Sequence, residues 1–97
     1  MHCLLFSASV TVAPQPKVVF FASRKKEHGK AAWENVTGLV VRLELGPLDT
    51  SAETLHVLRR VDAQGRTVWQ TRHPSLQEAF WHAEWEYDLP PERWTPA

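Results

Sequence analysis

The amino-acid sequence predicts an α+β domain, in which one C-terminal helix packs on a mostly antiparallel sheet of four or five strands. Three features indicate this class. Short segments before residue 73 alternate between apolar and polar residues, as half-buried strands do. An Asp-x-x-Gly turn at residues 62–65 joins two such segments, and a helix-capping pattern follows at Ser75. The 97 residues suffice for one modest core, so we expect a single domain over residues 1–97.

The N-terminal part of the sequence predicts two strands. Residues 4–12 alternate between apolar and small polar side chains, and Pro14 and Pro16 end that pattern. Residues 17–22 contain the apolar run Val18–Phe21, which is typical of a strand covered on both sides. We therefore expect both segments to belong to the sheet.

The middle of the chain combines a charged stretch with the clearest strand pattern. Residues 23–30 are charged and contain a glycine, which favours a loop, and residues 31–36 then form a short helical turn or continue the connection. From Gly38 to Leu45 apolar residues alternate with polar ones, and Gly46-Pro47 is expected to stop the strand.

Residues 54–72 predict a β-hairpin around the turn at Asp62–Gly65. Aspartate first and glycine fourth suit a type I turn with the glycine in the left-handed conformation of a bulge. Counting back from this turn, we expect the cross-strand pairs Val61/Thr67, Arg59/Trp69, Val57/Thr71 and His56/Arg72. The same count puts Leu55, Val57, Val61 and Trp69 on the more apolar face.

Ser75 and Glu78 have the spacing of a reciprocal capping box, so a helix is predicted to begin there. It should continue to Asp88 or Leu89 and end before Pro90, because a residue preceding proline avoids the helical region. The tail over residues 90–97 is rich in proline and is expected to be irregular, packing on the domain or on a neighbour.

The predicted helix has two different faces. At about 100° per residue, a normal core-facing stripe forms on one side. Trp81 and Trp85, at positions i and i+4, point away from that stripe beside Glu78 and His82. The core-facing residues are Leu76, Ala79, Phe80, Ala83 and Tyr87.

Two outward indoles need cover, because each can bury roughly 150–250 Å² of surface. Three interpretations stay open: the tail with Trp94 folds back over them, a second copy packs there with two helices exchanging tryptophans, or the face lines a ligand groove. A symmetric dimer is our preferred interpretation. The expected interface residues are Trp81, Trp85, Glu78, His82 and Trp94.

Two further sets of residues are candidate sites. A ligand pocket is possible between the helix, the hairpin and residues 23–35, although the polar outer face of a sheet is the simpler explanation of its members. A basic cluster in residues 24–30 could bind an anion, but a solvated loop is the simpler interpretation. The pocket candidates are Trp33, His56, Arg59, Trp69, Arg72 and His73. The anion-binding candidates are Arg24, Lys25, Lys26 and Lys30.

The sequence offers little support for catalysis. Glu78, His82 and Glu86 follow one another at i, i+4 and i+8 and could hold a metal or pass a proton, but such helical pairs usually face solvent. No nucleophile motif or phosphate-binding glycine loop occurs. We expect no catalytic residue, no metal and no cofactor.

Composition restricts the partners and the compartment. Eleven basic and eleven acidic residues give zero net charge, which makes nucleic acid an unlikely partner. No apolar run reaches membrane-spanning length, and residues 4–13 lack the basic start of a signal peptide. The lone Cys3 cannot form an internal disulfide. The sequence therefore predicts a small, non-catalytic cytoplasmic protein that forms a homo-oligomer and binds an unidentified partner protein or a small ligand through its aromatic surface. A small-molecule-binding or enzymatic domain is the alternative.

Residues 54–89 contain a strand, the Asp62–Gly65 turn, a second strand and a helix opening with Ser75-Leu76-Gln77-Glu78-Ala79. This arrangement resembles the ββα half of HicB-like antitoxin domains. The glycine-rich second strand of that family is replaced here by Val68-Trp69-Gln70-Thr71. The resemblance implies a protein that neutralises a toxin by masking it, and it implies no catalytic residues.

Overall fold

The computed structural model describes residues 5–27, 30–49 and 54–96. Five strands form one antiparallel sheet in the order β6-β5-β4-β1-β7, and β2 and β3 form a separate two-stranded ribbon. One helix near the C-terminus packs on the larger sheet, so the α+β prediction is confirmed. The elements are β1 (Phe6–Ser9), β2 (Phe21–Glu27), β3 (Lys30–Asn35), β4 (Arg42–Asp49), β5 (Thr54–Val61), β6 (Thr67–His73), α1 (Leu76–Tyr87) and β7 (Thr95–Pro96).

The N-terminal strands differ from their predicted bounds. Strand β1 covers only Phe6–Ser9, between β4 and β7, and Leu4 lies outside the described residues. Residues 23–27 and 30, expected within a loop, instead belong to β2 and β3, and residues 31–35, expected as a helical turn or a connection, lie in β3. Antiparallel pairing from Phe21↔Asn35 to Glu27↔Lys30 overrides the weak local propensity of this charged stretch.

The central strand β4 begins and ends later than predicted. Thr37–Leu39 form a 3-10 turn, and the strand then continues from Arg42 through Pro47 to Asp49. Pro47 is tolerated because it lies past Leu45, the last residue of β4 that pairs with β1 in the described chain.

The β5–β6 hairpin has the predicted turn but a different register. The Gly65 N–H donates to the Asp62 carbonyl at 3.0 Å, and Gly65 has a φ of 82°, which confirms the predicted turn. Val61 pairs with Thr67 as expected, but a bulge then shifts the register so that Trp69 lies opposite Arg60. The expected pairs Arg59/Trp69, Val57/Thr71 and His56/Arg72 are therefore wrong by one residue.

Helix α1 begins as predicted, and its core-facing stripe is confirmed. The Ser75 hydroxyl accepts a hydrogen bond from the Glu78 N–H at 3.1 Å, and Asp88 ends the helix in the left-handed conformation. Ala79 and Ala83 are fully buried against the sheet, where they meet Leu43, Leu45 and Leu58. Leu76, Phe80 and Tyr87 pack around this cluster.

The tail is more regular than expected. Pro91–Arg93 form a 3-10 turn, and Thr95 and Pro96 add a short strand beside β1. Trp94 is buried, with its ring 5.4 Å from that of Phe80. The tail thus covers the Phe80 flank of the helix. No helix in the described ranges is both long and apolar enough to cross a membrane.

Candidate functional site

The outer face of α1, which we call the aromatic helix face, consists of Trp81 and Trp85. Their side chains are 59% and 52% exposed. Trp94, expected to share this interface, is instead buried against Phe80 inside the chain. The tail is therefore occupied elsewhere and leaves both indoles uncovered.

Trp85 is held in place by its neighbours. The Lys17 ammonium lies 5.7 Å from the centroid of the indole, donates a hydrogen bond to the Trp85 carbonyl, and lies 3.4 Å from the Asp88 carboxylate. On the other side, the His82 ring lies 5.8 Å from the indole. A cation over the ring and an aromatic neighbour restrict the orientation of this exposed side chain.

The opposite, inner side of α1 buries an ion pair. Arg60 on β5 and Glu86 on α1 have side chains that are 0% and 3% exposed, and their closest contact is 2.6 Å. Two guanidinium nitrogens donate to the two carboxylate oxygens of Glu86, and another donates to the Leu58 carbonyl and the Thr71 hydroxyl. The buried charges are thus paired and hydrogen-bonded, as burial requires.

Aromatic rings cover this ion pair from the side of the ribbon. Phe20 is buried, and its ring centroid lies 5.5 Å from the Arg60 guanidinium carbon. Trp69 stacks on Phe20 at 5.7 Å. The bulge in the hairpin makes this arrangement possible, since it places Trp69 opposite Arg60.

Two histidines extend the polar network from the ion pair towards the helix start. The Nε2 atom of His82 lies 2.9 Å from Glu86, and the His82 ring lies 5.0 Å from that of His73 on β6. His73 contacts the Thr71 hydroxyl at 2.7 Å and lies 3.7 Å from Glu78. Burial lowers the pKa of His73, and nearby His82 lowers it further, while Glu78 acts in the opposite direction.

The predicted pocket residues do not converge. His56, Trp69 and His73 lie on the sheet face that α1 covers, whereas Arg59 and Arg72 lie on the other face and Trp33 lies on the ribbon. Arg59 donates to the Glu44 carboxylate and the Thr67 hydroxyl. Val57 and Trp69 were expected on one face of the sheet, but the bulge in the hairpin puts them on opposite faces.

A shallow pocket of about 310 Å³ lies elsewhere, near Tyr87, Asp88 and Arg93.

The ribbon carries a second exposed aromatic pair. Phe21 pairs with Asn35 and Ser23 pairs with Trp33, so Phe21 and Trp33 are diagonal neighbours on one face. They are 51% and 68% exposed.

Three of the basic candidates, Arg24, Lys25 and Lys26, belong to β2, and Lys30 belongs to β3. The basic cluster therefore lies along a β-ribbon and not in a loop.

No family model, curated protein or solved structure matches the chain. The resemblance of residues 54–89 to HicB-like antitoxin domains stays a prediction from turn and cap chemistry. Within residues 5–27, 30–49 and 54–96, no group of three or more histidine, cysteine or acidic side chains is arranged to hold a metal ion.

Sequence reasoning missed Arg60, Glu86 and Phe20 as a unit. Glu86 was recognised only as part of the Glu78–His82–Glu86 series and was assigned to solvent. One signal was present, since Arg60 lies in the strand between Leu58 and Val61, where an unpaired charge would be costly. Its partner could not be identified, because Glu86 follows 26 residues later on another element.

Proposed function

We propose that this chain acts by binding and not by catalysis, and that its working form is a homodimer in which a second copy covers the aromatic helix face. The exposure of Trp81 and Trp85, one turn apart on α1, is the observation that supports this proposal. Solvent-exposed tryptophans on one helix face form an apolar patch that marks an interaction site more often than a free surface.

A second copy is the occupant that the charges favour. The net charge is zero, so two copies do not repel each other at long range. Two-fold dimers are also the commonest oligomers of soluble proteins. A standard interface buries about 800 Å² on each partner, which is roughly an eighth of the 6831 Å² accessible surface of the chain.

Trp85 is suited to act as the anchor of such an interface. Lys17 and His82 already restrict its ring in the single chain. An anchor that is ordered before binding loses less side-chain entropy on association, so more of its contact energy contributes to affinity. We place this dimer in the cytoplasm, where the lone Cys3 would stay reduced.

Sedimentation equilibrium tests the proposal directly. The chain should sediment as a dimer at micromolar concentration, and Trp85→Ala should weaken dimerisation by at least about 30-fold, the equivalent of a 2 kcal/mol hot spot. The matched control is Leu39→Ala, which removes another half-exposed apolar side chain outside α1 and should leave the dimer intact. A chain that stays monomeric at several hundred micromolar would contradict the proposal.

A further inference from the structure

We infer that the segment of the second copy that covers the aromatic helix face is the β2–β3 ribbon, so that two copies exchange ribbons reciprocally. The inference rests on the proposed homodimer and names the part of the partner that binds Trp81 and Trp85. Both exposed aromatic pairs of the chain, Trp81/Trp85 and Phe21/Trp33, would then be buried in one assembly.

Charge argues against packing two copies of α1 directly on each other. The helix contains three glutamates and no lysine or arginine. Glu86 is neutralised by Arg60 and Asp88 is paired with Lys17, but Glu78 and Glu84 are exposed beside the tryptophans. A helix-to-helix dimer would bring like charges together, which costs affinity in an interface.

The ribbon has the complementary charge. Residues 21–35 contain four basic and two acidic residues. Because the full chain has zero net charge, the residues outside the ribbon carry the compensating negative charge. A basic ribbon from one copy and an acidic helix face from another attract each other. Two copies of a chain with zero net charge can therefore attract each other through regions of opposite charge.

The dimensions of the two surfaces also match. The seven residues of β2 span about 23 Å at about 3.3 Å per residue, and the twelve residues of α1 span about 18 Å at about 1.5 Å per residue. Diagonal neighbours on a ribbon lie about 7–8 Å apart, and residues four apart on a helix lie about 6 Å apart. Phe21 and Trp33 can therefore lie alongside Trp81 and Trp85.

The ribbon extends from the body of its own chain. Its strands pack against each other far more than against any other described element, and they pair with no described strand of the five-stranded sheet. The radius of gyration is 14.6 Å, compared with about 12.5 Å for a compact domain of this length. A two-fold exchange of such ribbons forms a closed dimer with two identical contacts.

Charge reversal on the ribbon tests the inference. Lys25→Glu/Lys26→Glu places an acidic residue at two successive strand positions and should weaken dimerisation at least tenfold at low salt. Gln77→Lys/Glu84→Lys reverses the exposed flank of α1 and should weaken it similarly, because basic ribbons then meet basic helices. Circular dichroism should show that both variants keep the secondary structure of the unmodified chain.

Mixing the two variants is the decisive measurement. In the mixture, the unmodified ribbon meets the unmodified helix and the acidic ribbon meets the basic helix, so a heterodimer should form with nearly the original affinity. The fourfold variant that combines all four changes should regain the homodimer. A dimer that Trp85→Ala dissociates but that ribbon reversal leaves unchanged would overturn the ribbon exchange and leave the proposed homodimer intact. A chain that is monomeric throughout would instead overturn the homodimer itself.

Discussion

Each of the two sides of helix α1 contains a residue type that an ordinary surface helix places on the other side. Its inner side buries the carboxylate of Glu86 against Arg60, whereas its outer side exposes the indoles of Trp81 and Trp85. Complementary partners therefore decide, together with side-chain hydrophobicity, which residues this helix buries. Glu86 is buried because its charge and hydrogen bonds are satisfied. The tryptophans are about half-exposed because, within the described residues, Lys17 and His82 cover only part of Trp85 and the tail packs on Phe80.

Removing the buried carboxylate should produce the largest effect on stability. Glu86→Ala leaves the Arg60 guanidinium buried without a counter-charge, and we expect a loss of about 3–5 kcal/mol in the free energy of unfolding. Urea denaturation followed by circular dichroism measures it. Alanine is the better helix former, so helix propensity cannot account for the loss.

Two controls keep this prediction specific. Glu84→Ala removes an exposed carboxylate from the same helix and should change stability by no more than about 0.5 kcal/mol. The double change Arg60→Leu/Glu86→Leu removes both charges and should recover most of the loss. If Glu86→Ala and Glu84→Ala lower the free energy of unfolding equally, the buried ion pair does not stabilise the inner side of α1.

Two adjacent phenylalanines at the start of the ribbon also differ in burial. Phe20 is buried between Arg60 and Trp69, and Phe21 is half-exposed. In the monomer, below the concentration of dimerisation, we expect Phe20→Ala to cost about 3–5 kcal/mol of stability and Phe21→Ala to cost no more than about 0.5 kcal/mol. Thermal unfolding of the two variants under identical conditions compares them, and similar melting temperatures would contradict the burial of Phe20.

The helix cap should have a smaller effect. Ser75→Ala removes the acceptor for the Glu78 N–H and should cost about 1 kcal/mol. Ser75→Asp keeps an acceptor at the same position and should retain the stability of the unmodified chain. Chemical denaturation distinguishes the two variants. If the aspartate variant loses as much as the alanine variant, the cap is not the cause.

Acidification should weaken the inner network by the smallest amount. The pKa of His73 is lowered in the folded chain, so the unfolded chain binds protons more readily. This contribution to stability is complete above the ordinary histidine pKa of about 6.5 and is lost as the pH falls below it. We expect the melting temperature to fall between pH 7.5 and pH 5.5, and His73→Gln to reduce that slope. A slope that is unchanged in the variant would contradict the assignment of this pH dependence to His73.

Local chemistry made part of the structure predictable. The cap at Ser75, the turn at Asp62–Gly65 and the outward position of Trp81 and Trp85 each depend on residues within a few positions of one another. Such patterns can be read directly, because helix periodicity and turn geometry are properties of short segments. The α+β class followed from these segments together.

The rest depended on contacts between distant parts of the chain. A single bulged residue near Val68 reversed the expected faces of β6, and with them the pairing of Trp69 and the environment of Arg60. The charged residues 23–27 became part of a ribbon because β3 pairs with this segment. Neither outcome has a strong local signal, since pairing partners and register are selected by the completed sheet.

The start of α1 and its two outward tryptophans follow from the amino-acid sequence alone, because both depend on spacing along a single helix. Only the tertiary structure decided that Glu86 lies inside and that Trp94 covers Phe80 and not Trp85. Those positions require a partner on another element, Arg60 for the carboxylate and the sheet for the tail. The physical reason is that a side chain is buried where its charge, hydrogen bonds and shape are matched, and the match is made by residues far away along the chain.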